Sequence, residues 1–178
     1  MKVTETILKG CFLIEPQVHI DNRGFFLESF NQKKFEELTG LKINFVQDNI
    51  SFSKKGVIRA IHMQKEPFAQ AKLVQVLSGK VLDIAIDMRE NSETYKKVYS
   101  VILSSENKKQ LFIPKGFLHG FAALEDSVFA YKVDNYFQKD AEFGVRYDDE
   151  TFGIDWILNE DEIIVSEKDK NLQKLDKI

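Results

Sequence analysis

KLVQVLSGKVLDIAID, residues 72–87, is the stretch whose reading decides the fold. Two alternating apolar runs flank Ser78-Gly79, a dipeptide suited to a two-residue turn. The spacing predicts a hairpin that opposes Leu77 to Lys80 and brings Lys72 level with Ala85. Side chains alternate across a strand, so Leu73, Leu77, Leu82, Ile84 and Ile86 fall on one face and Lys72, Val74, Val76, Val81, Asp83 and Ala85 on the other. The second face is small and apolar, yet carries one Lys and one Asp. That pattern suits a cavity wall with a specific polar task, and equally a half-exposed sheet with a surface ion pair.

Outward from this stretch the chain continues in short runs of aromatic and β-branched residues separated by Gly, Asn, Ser or charged clusters. Strands are expected at 24–29, 43–51, 56–63, 71–77, 80–87, 95–103, 109–114, 117–123, 127–136 and 143–147. One helix is expected at 31–39, capped by Asn31 or Ser29, with Phe35 and Leu38 on one face and Gly40 as its stop. A second is expected in the charged tail from about residue 166. Fifteen Phe and five Tyr against three Pro supply much aromatic material to bury. The fold class is all-β, in a single domain over 1–178, a length that suits one domain.

Composition removes several function classes. A formal charge of -3 leaves no positive field to hold nucleic acid non-specifically. Cys11 is the only cysteine, which excludes an internal disulfide framework and a multi-cysteine zinc site and suits a reducing, cytoplasmic compartment. No run approaches the ~18 apolar residues of a membrane span, so neither membrane insertion nor secretion is expected.

Two spacings carry chemistry. Gly56 is followed by His62, Met63 and Gln64, then Lys72 and Gly79, while LFIPKGFLHGF places Pro114, Gly116 and His119 as P-x-G-x-x-H. Together they resemble the two signature motifs of the cupin barrel, a double-stranded β-helix or jelly roll enclosing a ligand cavity, here with short peripheral helices. Metal-binding cupins carry His, His and Glu in the first motif and His in the second. Here Gln64 and Lys72 occupy two of those positions. An ammonium repels a divalent cation and an amide oxygen is a weak ligand for metals that favour imidazole, so no metal is expected. Two imidazoles and one ammonium in an apolar barrel suit proton transfer beside a developing negative charge. Taken singly, a strand histidine is more often a packed residue and a strand lysine a solvated one. Their joint placement at barrel-motif positions reverses that.

DNRGFFLESF, FVQDNISFSKKGVIRAIHMQ, AQAKLVQVLSGKVLDIAID, LFIPKGFLHGF, YKVDNYF and the late SEKD, in that order, resemble the dTDP-4-dehydrorhamnose 3,5-epimerases, the RmlC-type sugar-nucleotide epimerases of the cupin superfamily. The resemblance spans residues from about 9 to 169. It implies a cofactor-independent isomerase that inverts carbons flanking the 4-keto group of a dTDP-linked 4-keto-6-deoxy sugar, dTDP-4-dehydro-6-deoxy-D-glucose, on the way to dTDP-L-rhamnose. Such chemistry needs a base, a stabiliser for the enolate oxygen and a proton donor on the opposite face.

By motif match, the resemblance makes His62 the base and Asp169 the partner that orients it. Lys72 becomes the enolate stabiliser, Tyr131 the opposing acid and His119 a second cavity histidine. Asp83, across the expected hairpin, would hold the Lys72 ammonium. Arg23 and Arg59 match diphosphate-binding residues, aided by Gln47, Asn49 and Ser51, and Tyr136 joins the substrate-binding set. Phe26 and Glu28 match nucleoside contacts on an arm that, in this family, reaches over from a neighbouring subunit, which implies a homodimer. Strict alternation from Val57 sets Arg59 opposite to His62, so both reach one pocket only if a bulge intervenes. The chain departs from the family where RGLH reads RAIH: Ala60 adds a methyl beside the base, and Met63 removes a flat surface near it. The alternatives are therefore inversion of one centre, another nucleotide-linked sugar, or a cupin that binds sugar nucleotides without turning them over.

Overall fold

The computed structural model describes residues 1–177. In chain order the strands are β1 (Lys2–Glu5), β2 (Phe12–Glu15), β3 (Val18–Asp21), β4 (Gly24–Leu27), β5 (Gln47–Ser53), β6 (Val57–Gln64) and β7 (Lys72–Ser78). They continue as β8 (Lys80–Asp87), β9 (Val98–Ser104), β10 (Gln110–Ile113), β11 (Phe117–Ala123), β12 (Ser127–Val133), β13 (Glu142–Gly144) and β14 (Ile164–Val165). Two sheets face each other. One runs β1-β2-β10-β7-β12-β5, the other β13-β6-β11-β8-β9 with β14 beside β6, and β3-β4 form a separate hairpin. Among the described residues no helix is long and apolar enough to cross a membrane.

The alternation in residues 72–87 sorts the faces as expected but not the neighbours. Val74, Val76, Val81 and Ala85 bury into the core between the sheets, with Phe117, Phe121 and Phe129. Leu82, Ile84 and Ile86 pack outward beneath the C-terminal segment with Trp156 and Val165. Leu73 packs outward on the other sheet with Phe35 and Phe112. The expected hairpin is absent: β7 pairs with β10 and β12, and β8 with β11 and β9, so Lys72 lies opposite Ile113 and Val133 rather than Ala85. Gly79, at φ +80, turns the chain from one sheet to the other where a Cβ would stand 2.2 Å from the Asp126 carbonyl oxygen. Alternation fixes which side chains share a face; it carries no information on which strand lies alongside.

The short helix α1 (Gln32–Thr39) starts at Asn31, whose side chain accepts from the Lys34 amide, and ends at left-handed Gly40. Phe35 is buried beneath it, whereas Leu38 is exposed. The tail forms a single turn, α2 (Glu167–Lys170), capped by Ser166. Strands β1, β2, β3 and β14 were not expected from the sequence. Each has two to four residues, too few for a period to register.

Candidate active site

A cavity of about 180 Å³ opens between the sheets, lined by Ser51, Arg59, His62, Lys72, His119, Gly120, Phe121, Phe129 and Tyr131. His62 and Lys72, which the proton-transfer reading requires in one space, share it. Arg59, His62 and His119 come from the β6-β11 wall, and Ser51, Lys72 and Tyr131 from the facing sheet. His62 and Tyr131 therefore stand on opposite walls.

A bulge admits Arg59 and His62 together. Strand β6 aligns His62 with His119 and Arg59 with Phe121, so two residues, Ala60 and Ile61, stand against Gly120 alone. Both turn outward into the core under the C-terminal segment, and Met63 packs against the same cluster. This corrects the expectation that Ala60 sets a methyl beside the base and that Met63 removes a flat surface near it: neither side chain lines the cavity. The bulge presses on Gly120, where a Cβ would stand 2.8 Å from the Arg59 carbonyl oxygen.

His62 Nε2 stands 2.9 Å from Asp169 Oδ1 as an ion-pair contact rather than a formed hydrogen bond. Ser166 Oγ accepts from the Asp169 amide at 3.1 Å and fixes the turn that delivers the carboxylate. Burial pushes the Asp169 carboxyl up, but the His62 ring, its charge, Ser166 and the Ala60 amide outweigh it and leave the carboxyl below its ordinary range. Burial lowers the Lys72 ammonium to about 8 against the opposing pull of the Asp83 and Glu142 charges. Burial likewise lowers His119, although Asp83 opposes it, so this ring is neutral near pH 7. Burial raises the Tyr131 phenol, partly countered by Arg59, so the hydroxyl keeps its proton.

Asp83 departs from its expected role. It is fully buried, does not line the cavity, and its Oδ2 stands 2.9 Å from His119 Nε2. Among the described residues it makes no ion pair with Lys72; its charge reaches the ammonium through space only. The cause is the missing hairpin: Asp83 lies opposite Phe121 on β11, beside His119, not on a strand paired with β7. Gln64 is committed elsewhere as well, its side-chain oxygen accepting from the Gln138 amide at 2.9 Å.

Arg59 donates to Ser53 Oγ and to the Phe52 carbonyl, each at 3.0 Å, which holds its guanidinium at the cavity wall. Asn49 and Gln47 continue along the face of β5 that carries Ser51, joined by a 2.8 Å hydrogen bond. Arg23, Phe26 and Glu28 do not line this chain's cavity. Arg23 pairs with Asp21 at 2.6 Å, Phe26 is 70% exposed, and Glu28 accepts from Lys34 and Asn31. Tyr136 is likewise exposed, beyond the end of β12. Sequence reasoning missed Gly120, Gly144, Glu142 and the stacked rings of Phe121 and Phe129, 4.3 Å apart. The two glycines matter only through what a methyl would strike, and a single sequence carries no mark of that.

The arrangement can lift a proton from carbon on one wall, steady the oxyanion with an ammonium and return a proton from the other wall. Comparisons with known proteins agree with that chemistry. Residues 5–177 match the family model described as dTDP-4-dehydrorhamnose 3,5-epimerase. A Shigella flexneri protein of that name is 48% identical over 98% of this chain and 96% of its own. The crystal structure of the Elizabethkingia anophelis dTDP-4-dehydrorhamnose 3,5-epimerase superposes with a TM-score of 0.95 at 52% identity, covering 99% of this chain and 97% of that one. The Legionella pneumophila enzyme, solved in complex with dTDP-4-keto-L-rhamnose, also gives 0.95, at 45% identity and covering 99% and 94%.

Proposed function

From a chain that belongs to the dTDP-4-dehydrorhamnose 3,5-epimerase family, we propose an enzyme that inverts C3 and C5 of dTDP-4-dehydro-6-deoxy-D-glucose without a cofactor. The observation that carries the reading is His62 and Tyr131 on opposite walls of one cavity with Lys72 between the same sheets. His62 takes the proton from the carbon next to the ketone, and the electron pair moves to the C4 oxygen as an enolate. Lys72 stabilises that oxygen. Asp169 stabilises the imidazolium. Tyr131 returns a proton from the opposite face, inverting the centre. Neutral His119, backed by Asp83, hydrogen-bonds the sugar.

Arg59, Ser51, Asn49 and Gln47 then lead from the sugar cavity towards the diphosphate. Ile20, Phe25 and Phe26 leave the β3-β4 hairpin with an exposed apolar surface. That supports a homodimer in which each hairpin crosses to the partner, bringing Arg23, Phe26 and Glu28 to the nucleotide.

Incubation of the sugar nucleotide in deuterated water is expected to introduce label at both C3 and C5, read by NMR. Label at one carbon would assign a single-centre epimerase, and its absence in folded protein would refute the proposal. His62→Ala is expected to abolish exchange and spare dTDP affinity.

A further inference from the structure

The His62 ring is a partition between two spaces. It lines the barrel cavity and also an outer cleft formed with Phe137, Glu142, Gly144, Lys168 and Leu172, and among the described residues no other is common to the two linings. A carboxylate stands at each of its nitrogens. Asp169 Oδ1 is 2.9 Å from Nε2, and Glu142 Oε1 is 3.9 Å from Nδ1. One turn of the tail sets both, since α2 supplies Asp169 itself and Lys168, whose Nζ contacts the two Glu142 oxygens at 2.8 and 2.6 Å. Glu142 nonetheless belongs to β13, paired with β6 two residues from His62.

The ionised Asp169 oxygen 2.9 Å from Nε2 favours the ring proton on that nitrogen and leaves the lone pair on Nδ1. Because His62 also lines the barrel cavity, Nδ1 is the nitrogen left to take hydrogen from carbon. Under the proposed function, on which this inference rests, the same lone pair is needed twice for each bound sugar. After the first abstraction the ring is an imidazolium protonated on both nitrogens. It must lose the Nδ1 proton before the second. Asp169 stands at the other nitrogen and cannot restore the Nδ1 lone pair.

We infer that Glu142 is the positioning residue that resets the base between the two inversions. The proton taken from carbon passes from Nδ1 to the Glu142 carboxylate, across a gap that a small side-chain rotation or one water closes, and then to solvent in the outer cleft. The neutral ring is restored with its proton on Nε2. Each inversion sends the proton lost from carbon to solvent through Glu142, and Tyr131, which gives its own proton to the carbon, regains one from solvent, so the step is balanced in protons and no electrons are exchanged with any other group.

Glu142→Gln in the full-length enzyme tests this, with single- and double-inverted sugars quantified by NMR during turnover. Proton-transfer groups contribute roughly 10²–10⁴-fold, and water in the open cleft retains part of the function, so the second inversion is expected to slow about tenfold or more relative to the first. The singly inverted sugar then accumulates. Added formate, a small carboxylate, should restore the ratio, and Glu142→Asp should keep it near the unsubstituted value. Equal slowing of both steps, no change in the ratio, or the same accumulation in the Asp variant would overturn the inference. Failure of the unsubstituted enzyme to invert two centres would instead overturn the proposed function.

Discussion

Gly144→Ala isolates the placement of the base from the integrity of the fold. A Cβ at this position would stand 2.5 Å from His62 Cδ2 and 2.9 and 3.2 Å from the two Leu172 methyls. Carbon atoms in contact settle at about 3.5–4.0 Å, so the imidazole must retreat by roughly 1 Å. All the crowded atoms belong to side chains, and Gly144 has no left-handed backbone to strain. Overpacking costs about 1–3 kcal/mol where neighbours cannot move. Here they can, so the cost falls at the lower end, about 2–4 °C in Tm for a chain of this size. The catalytic cost is larger, because a misplacement of about 1 Å removes on the order of 10²-fold in rate. Expected together are a near-normal melt, unchanged dTDP affinity and a hundredfold loss of deuterium exchange at C3 and C5. Exchange within about threefold of the unsubstituted protein would refute the reasoning, since the ring would then not need the position it holds.

Gly120→Ala should behave differently, because its methyl meets the Arg59 carbonyl at 2.8 Å, backbone that cannot swing aside. Stability is expected to fall by about 1–3 kcal/mol along with dTDP affinity, read by thermal melting and calorimetry. Asp169→Asn keeps the shape of the carboxylate but not its charge. It should cost about 10²–10⁴-fold in exchange rate while leaving dTDP binding intact, as competition with substrate would report. If Lys72 acts as the ammonium, kcat/KM is expected to fall as pH rises through about 8. Between about 8 and the ordinary 10.5 the unfolded chain still holds a proton that the folded chain has lost, so this group's contribution to stability rises with pH over the same window. A profile flat to the alkaline end would remove Lys72 from the role.

What the sequence made legible divides along a physical line. Alternation is a property of one strand, so the inward set Lys72, Val74, Val76, Val81, Asp83 and Ala85 was readable. Pairing is a property of two strands, so the hairpin was not, and the error carried Asp83 to Lys72 instead of His119. The need for a bulge between Arg59 and His62 was legible as a contradiction in the alternation. Its position against Gly120 was not, because only the β11 register reveals it. Motif spacing singled out His62 and Lys72, whereas Tyr131 and Asp169 entered only through the family resemblance: a strand tyrosine has no mark that separates it from Tyr136, a carboxylate in a charged tail has no local mark of burial, and the contact of Asp169 with His62 spans more than a hundred residues.

That long contact explains how a cupin barrel can serve as a proton-transfer site. The barrel supplies walls, and on the β6-β11 wall two histidines stand directly opposite each other in the ladder. Identical side chains in one apolar cavity would ordinarily behave alike. They are separated by the origin of their carboxylates. Asp83 rises from within the sheet on the same inward face, is wholly buried, and holds His119 by the 2.9 Å contact, which suits a fixed neutral hydrogen-bonding group. Asp169 arrives from outside on a capped turn of the tail, and His62 keeps a face to the open cleft, where Glu142 and Lys168 stand. A base must release its proton as well as capture it. Only the histidine served from the tail has a second side from which to do so, which supports the proposed division between His62 as the base and His119 as a holder of substrate.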